Sequence, residues 1–425
     1  MDSNETLNGF TGFSGRSSGD FGYAREERDA TAVVPFGEDE LEEIGVLDRR
    51  WAWCEISSLA IRHNVLEARR FTEPGCQLMA VVKSDGYGHG AVQCAKAAIN
   101  GGATWLGVAT VDEGVALRKA GFEEPILILS EPPVATIPLL LTYRIVPAIF
   151  NVEFALAYGE TADQHGMVGP YHLAVNTGMN RIGVRAEEVM EFLSRVNFHR
   201  GLDLTGTFTH FATADARDSI EFELQLRRFN EALQAIRTAG IDPGIVHAAN
   251  SAAIFRYPEA HFDMVRLGIA MYGCHPCEQT NGVANLKPAM SVKARITDAK
   301  TVPMSEGVSY GLHYRSPGSV RICTIPIGYA DGLRRNLSGK INVIAGGQYC
   351  RQVGNICMDQ CMFEVDMRSS AARLRLDPQV GDVVTVIGEE GDAVCTLTEM
   401  AYLSGTIDYE IAVGFALRMP RVYVD

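Results

Sequence analysis

The sequence predicts an α/β fold, a (β/α)8 TIM-type barrel, followed by a mainly antiparallel β domain. Three observations carry that expectation. Eight short β-branched runs alternate with helix-period segments between residues 78 and 266. Those runs are almost continuously apolar, as strands of a parallel sheet covered on both faces are. Beyond Lys287-Pro288 the texture changes to apolar–polar alternation broken by glycines, which reads as antiparallel strands with one solvated face.

Taken in order, residues 1–47 carry eleven acidic side chains and three arginines, with Gly9, Gly12, Gly15, Gly19 and Gly22 too closely spaced for a stable element. They read as a flexible acidic extension. The strand candidates of the second segment, 48–287, are LMAVVK (78–83), WLGVAT (105–110), ILIL (126–129), IVPAIF (145–150), YHLAV (171–175), LTGTFTH (204–210), IVHAA (245–249) and DMVR (263–266). Amphipathic stretches such as AVQCAKAAIN (91–100) and 221–240 lie between them. Eight βα units with right-handed crossovers fit a closed barrel, and a doubly wound open sheet shares the same local pattern. Residues 288–425, with SVKARITDAKTV, VRICTIPIGY, KINVIAGGQY and DVVTVIG, form the β domain.

Composition narrows the function. With 47% apolar and 21% charged residues the chain can bury a large core. Its net charge of −14, with no basic run, argues against nucleic-acid binding. No stretch approaches the ~20 apolar residues of a membrane span, and MDSNETLNGF is not a secretory signal. Ten cysteines scattered singly suggest reduced thiols, so a soluble cytoplasmic protein is expected. Cys274 and Cys277 have C-x-x-C spacing but no second pair, so no metal is expected.

The strongest local signal is AVVKSDGYGHG (80–90), where Lys83 ends an apolar strand and a glycine-rich turn leads into a helix. A lysine at the C-terminal end of a barrel strand sits where catalytic groups collect. Desolvation there lowers its pKa toward a nucleophilic amine able to form a Schiff base. A lone strand-end lysine reaching out to solvent is the plainer alternative.

The surroundings decide between them. AVVKSDGYGHG closely resembles the pyridoxal-phosphate lysine motif of the alanine racemase family. NTGMNRIG (176–183), THFATAD (209–215), HAANSAA (247–253), VRLGIAMYG (265–273), GVSYG (307–311), IPIGYADG (325–332) and ICMDQ (356–360) extend the resemblance in register. It implies pyridoxal 5′-phosphate (PLP) as cofactor and a head-to-tail homodimer with shared active sites. It also implies interconversion of L- and D-alanine to supply D-alanine for peptidoglycan. Lys83 would be the cofactor lysine and the base on one substrate face, with Tyr310 of the partner subunit the base on the other. Because tyrosine has a solution pKa of about 10, it needs support, which the resemblance assigns to His210 and Arg266. Arg266 would face the pyridine nitrogen and, always charged, leave it unprotonated. That favours proton exchange over transamination or elimination, for which Asp or Glu usually stands there.

Cofactor binding is further implied for Tyr87, four residues beyond Lys83, and for Asn250, Ser251, Gly268 and Ile269, in loops after the last barrel strands where phosphate sites form. An N-cap role for Ser251 and a turn role for Gly268 are compatible with it. Arg181 matches the arginine that contacts the substrate carboxylate, Met358 and Asp359 match partner residues framing the substrate, and Tyr329 and Arg335 match the entry corridor.

Departures from the family pattern bear on specificity. Ala174 stands where many members carry a carbamylated lysine, and Asn176 stands where they carry aspartate, so Arg181 loses an anionic partner. A buried unpaired guanidinium is costly, and a bound chloride near the Asn176 amide is one solution. Asn355 replaces a frequent arginine and Leu417 a frequent phosphate-contacting tyrosine. A serine or broad-specificity racemase is therefore the first rival. A decarboxylase on the same scaffold would want a carboxylate in place of Arg266. A non-catalytic PLP carrier would lack GVSYG and the β domain.

Overall fold

The computed structural model describes residues 45–365, 376–415 and 417–425. Residues 1–44 of the expected acidic extension lie outside them. Eight parallel strands form a closed ring: Gln77–Val81, Trp105–Val108, Ile126–Ile128, Ile145–Ile149, Gly169–Asn176, Leu202–Phe208, Ile245–His247 and Met264–Leu267. Each pairs with the next, and Met264 beside Gln77 closes the ring. The doubly wound alternative, which would leave two open edges, is excluded. Continuous burial explains the apolar runs, since Leu78, Met79 and Ala80 are all fully enclosed. On the outside, Ile220–Thr238 buries Phe222, Phe229, Ala232, Leu233 and Ile236, the helical period that marked it in sequence.

The first predicted strand ran to Lys83, but pairing ends at Val81 and Lys83 opens a turn. Ala52–Ser57, from the segment expected to form the barrel, instead pairs antiparallel with Met290–Arg295 and parallel with Arg421–Val424. Its second half alternates, with Cys54 and Ile56 buried and Glu55 and Ser57 half-buried, as a strand of a mixed sheet with one more exposed face does. That sheet is otherwise mainly antiparallel and runs through Asp298–Val302, Val320–Ile325, Cys361–Val365, Gln348–Val353, Asn342–Ala345 and Val383–Glu390 to Met290–Arg295. Met290–Arg295 alternates buried and half-buried positions, as its sequence pattern requires.

Asp331 ties the ends of the chain to the β domain. Fully buried, it accepts hydrogen bonds from Arg50 at 2.5 Å, Arg418 at 2.7 Å and the Gly328 amide at 2.9 Å. Arg418 also reaches Asp359 at 2.7 Å. No described helix is long and apolar enough to cross a membrane. Cys274 and Cys277 are both free, and no group of three described His, Cys, Asp or Glu side chains is placed to hold a metal ion.

Candidate active site

The C-terminal mouth of the barrel opens into a cavity of about 570 Å3, within the size range of small-molecule sites. Lys83 and Tyr87 enter it from an unusual turn. Ser84, Asp85, Gly86, Tyr87 and Gly88 all have left-handed backbones, with φ of 53°, 50°, 61°, 52° and 80°. Each non-glycine residue there costs roughly 1–2 kcal/mol. Hydrogen bonds hold the turn against that strain, from Gly86 N–H to the Val82 carbonyl at 2.8 Å and from Gly88 N–H to the Ser84 carbonyl at 3.0 Å. Glu113 fastens the front, accepting from the Ser84 amide at 2.6 Å and the Ala109 amide at 2.8 Å. Gly88 lies so close to the β domain that a Cβ would sit 2.5 Å from the Ala412 carbonyl oxygen. Burial lowers the Lys83 pKa, the Arg181 charge adds to this, and the Glu113 carboxylate opposes it.

Arg266 organises the opposite wall. Its Nη1 donates to His247 Nδ1 at 3.0 Å and the His247 carbonyl at 3.1 Å. Its Nη2 lies 2.8 Å from the Thr209 carbonyl, 2.9 Å from the Ala248 carbonyl and 3.1 Å from His210 Nδ1. Nε alone has no hydrogen-bond partner among the described residues. Burial pushes Arg266 down to about 9, which still leaves it charged at neutral pH. A guanidinium only donates, so both histidines must accept at Nδ1 and carry their protons on Nε2. Burial, followed by the Arg266 charge, holds His210 and His247 well below the usual histidine range. His247 Nε2–H then donates to His172 Nδ1 at 2.9 Å, inside the barrel.

These buried neutral histidines make stability depend on pH. Burial pushes His172 down to about 3 and His89 down to about 4, against about 6.5 for a free histidine. Between the folded and unfolded values the unfolded chain binds more protons, so stability falls as pH drops below 6.5. For His172 alone, moving from pH 7 to pH 5 is expected to cost about 2 kcal/mol. Urea titrations at the two pH values check this. His172→Asn should shrink the pH difference by that amount, whatever its stability at pH 7.

A third group converges at the far end. Ser251 Oγ accepts from the Gly268 amide at 2.9 Å, which leaves its own hydrogen free to donate. A Cβ on Gly268 would lie 3.1 Å from Tyr87 Oη and 3.7 Å from Ser251 Oγ, so bare backbone and two hydroxyls face one small volume. Burial pushes the Tyr87 phenol up to about 12, so it stays a neutral donor. Asn250 caps the short helix after it by accepting from the Ala253 amide, and Asn250 and Ile269 also line the cavity.

Lys83, Tyr87, Arg181, His210, Asn250, Ser251, Arg266, Gly268 and Ile269 thus share one cavity. Ala174 is buried on its wall, and no ion pair reaches Arg181 among the described residues. Asn176 Nδ2 donates one hydrogen to Asn180 Oδ1 at 3.0 Å, and Oδ1 accepts from the Gly178 and Asn180 amides. The turn at Gly178–Asn180 thus orients the side chain, which lines the cavity with one amide hydrogen left over.

Tyr310, Tyr329, Arg335, Met358 and Asp359 do not line this cavity in their own chain. Tyr310 is 75% exposed and Met358 53%. The segments that carry Tyr329 and Met358 are neighbours nonetheless, since the Tyr329 and Ala330 amides donate to the Cys357 and Met358 carbonyls. Leu417 is exposed and also off the cavity. Ile407, Tyr409 and Val413 of the β domain do line it, though no feature of the sequence singled them out. The TIDYE segment carries no catalytic spacing, and only the fold brings the Tyr409 ring to 6.0 Å from Tyr87.

Comparison with known proteins gives a consistent answer. The family model for the alanine racemase N-terminal domain matches residues 56–276, and that for the C-terminal domain matches 289–423. A protein named alanine racemase from Nostoc is 42% identical over 376 residues, covering 88% of this chain and 96% of its own. The crystal structure of alanine racemase from Bacillus anthracis with bound L-Ala-P superposes with a TM-score of 0.82 at 36% identity, covering 88% of this chain and 95% of its own. A histidine racemase from Leuconostoc mesenteroides superposes at 0.79 with 30% identity, covering 88% and 98%.

Proposed function

The chain belongs to the alanine racemase family, and from that premise we propose that it interconverts L- and D-alanine with PLP as cofactor. The donor set fits that cofactor. Tyr87, Ser251 and the Gly268 backbone offer neutral donors suited to a phosphate, and the free Nε–H of Arg266 suits a pyridine nitrogen. When bound, the cofactor acidifies the α-hydrogen of an attached amino acid, and a charged arginine at its ring nitrogen keeps that acidification modest. Arg266 is the single observation that carries the reading, because it favours return of a proton to the α-carbon over other outcomes.

Racemisation needs a proton taken from one face and delivered to the other. Lys83, its pKa lowered by burial, serves one face. Tyr310 of the partner subunit serves the other, in a homodimer whose second bases are exchanged between subunits. The exposure of Tyr310 and its absence from the cavity of its own chain support that exchange. His210, with Nδ1 accepting from Arg266, keeps Nε2–H free to donate to the tyrosine oxygen. Arg181 holds the substrate carboxylate, and Met358, Asp359 and Tyr329 of the partner subunit frame the substrate. We read 48–287, apart from Ala52–Ser57, and 288–425, joined by that strand, as the two domains that build the site, 1–47 as an acidic extension, and the protein as cytoplasmic, feeding D-alanine to peptidoglycan.

The departures around Arg181 favour one second reading, a racemase with serine or broader specificity. Chiral chromatography of purified protein with PLP, incubated separately with L-alanine, L-serine and L-histidine, separates the readings. Faster formation of D-alanine is expected. D-serine or D-histidine in excess would make the altered positions specificity determinants, and no D-enantiomer from any of the three would overturn the racemase assignment.

A further inference from the structure

We propose that Asn355 is a positioning residue for Tyr310, selecting the backbone state that aims the phenol; this rests on the reading of Tyr310 as one of the two bases. The Tyr310 side chain is 75% exposed and makes no hydrogen bond among the described residues, so its backbone alone fixes where its Cα–Cβ bond starts the phenol. That backbone is held in a sparsely populated state. Ser309 has φ 68° and ψ 179°, a region that residues with a side chain seldom enter. Gly311, on the other side, has φ 77°. A peptide followed by glycine flips at little cost, because glycine tolerates both resulting conformations. The Tyr310–Gly311 peptide therefore needs an external hold.

Asn355 supplies it. Its Nδ2 donates to the Tyr310 carbonyl at 2.7 Å, while Ser309 Oγ donates back to the Asn355 carbonyl at 2.6 Å. Ser309 Oγ also lies 3.5 Å from Cys357 Sγ. The two segments are in backbone contact, since a Cβ on Gly354 would fall 2.6 Å from Ser309 Cβ and 2.8 Å from the Val308 carbonyl oxygen. The Leu312 amide closes the turn onto the Ser309 carbonyl at 3.1 Å. Asn355 thus holds one flip state of the peptide that carries the base.

The test uses N355D, which keeps the shape but replaces the donor with a carboxylate that repels the Tyr310 carbonyl, together with N355S. A displacement of about 1 Å costs as much as a hundredfold in rate, so racemisation is expected to fall between about ten- and a hundredfold. The enantiomers are equally stable, so kcat/KM must fall equally in both directions, and rate alone does not identify the cause. The isotope effect with α-deuterated alanine does. It should rise in the direction in which Tyr310 removes the deuteron, and fall toward one in the direction in which Lys83 removes it. Exchange of the α-hydrogen with solvent in Tyr310→Phe, which should persist for the enantiomer that Lys83 deprotonates, identifies which direction is which. A merely structural loss leaves both isotope effects at their wild-type values, and that result, or the opposite asymmetry, would overturn the proposal.

A second arm needs no catalysis. Hydrogen exchange of the cofactor-free protein should quicken in residues 307–314 of both variants while the barrel strands stay as protected as in the wild type. Unchanged exchange there removes the clamp. If the wild type fails to racemise but the exchange changes as expected, the function reading fails and the clamp stands as a structural fact.

Discussion

Subunits carrying Lys83→Ala are expected to be inactive, and so are subunits carrying Tyr310→Phe, yet the two mixed together are expected to recover about a quarter of wild-type racemisation. Lys83 lines the cavity of its own chain whereas Tyr310 does not, so under the proposed two-base reading a chain alone has one base. Losing either base should cost at least about 100-fold, the low end for a positioned acid–base group. Tyr310→Phe should nevertheless keep the visible absorbance of bound PLP. In a mixed dimer one cavity has lost both groups and the other has its own Lys83 plus Tyr310 of the partner subunit. Half of randomly formed dimers are mixed, and each has one intact site of two. The measurement is D-alanine formation by coexpressed, differently tagged subunits, where the unfractionated mixture should show that quarter and mixed dimers purified through both tags about half. Verified mixed dimers with no activity would show that the bases are not shared. A carrier protein would be indifferent to Tyr310→Phe.

Much of this arrangement was legible in the sequence because barrels report themselves locally. Strands enclosed on both faces must be apolar throughout, and all eight runs named from sequence fall on strands, with ends displaced by only a few residues. The cavity residues were legible for a different reason. Lys83 follows a strand, where a barrel gathers its chemistry, whereas His210, Ser251 and Arg266 were legible through the family resemblance of the motifs that carry them. Three features were not legible. The left-handed run from Ser84 to Gly88 includes Ser84, Asp85 and Tyr87, residue types that rarely adopt it. Contacts made far along the chain, with Glu113 and Ala412, enforce it. Ala52–Ser57 pairs with strands more than two hundred residues away, and local pattern says nothing about such partners. The fate of the Asn176 amide depended on the tight turn at Gly178–Asn180, which leaves no signature beyond a glycine and an asparagine.

Replacing Asp331 with alanine is expected to destabilise the protein by about 3 kcal/mol, the low end for breaking a buried ion pair. The carboxylate is fully enclosed and takes three donors, so its loss strands the Gly328 amide as well as two guanidinium groups. The low end applies because Arg50 and Arg418 are partly exposed, with side chains 25% and 45% accessible, and regain water on rotating outward. Asp331→Asn separates charge from connectivity. It can still accept from Gly328 but offers the arginines no anion, so it should lose less. The consequence extends to function because Arg418 bridges Asp331 to Asp359, beside Met358. Once Arg418 loses its buried anchor, Asp359 is held only by a mobile cation, and the surface that the proposed dimer would offer to the partner's cavity loosens. Urea titration should show the stability loss, and kinetics on the surviving folded protein should show KM rising more than kcat falls. Unchanged KM in a variant that has lost the full stability would confine Asp331 to holding the fold. A rise in KM would make this buried carboxylate the link between the closure of the β domain and the shape of the substrate site.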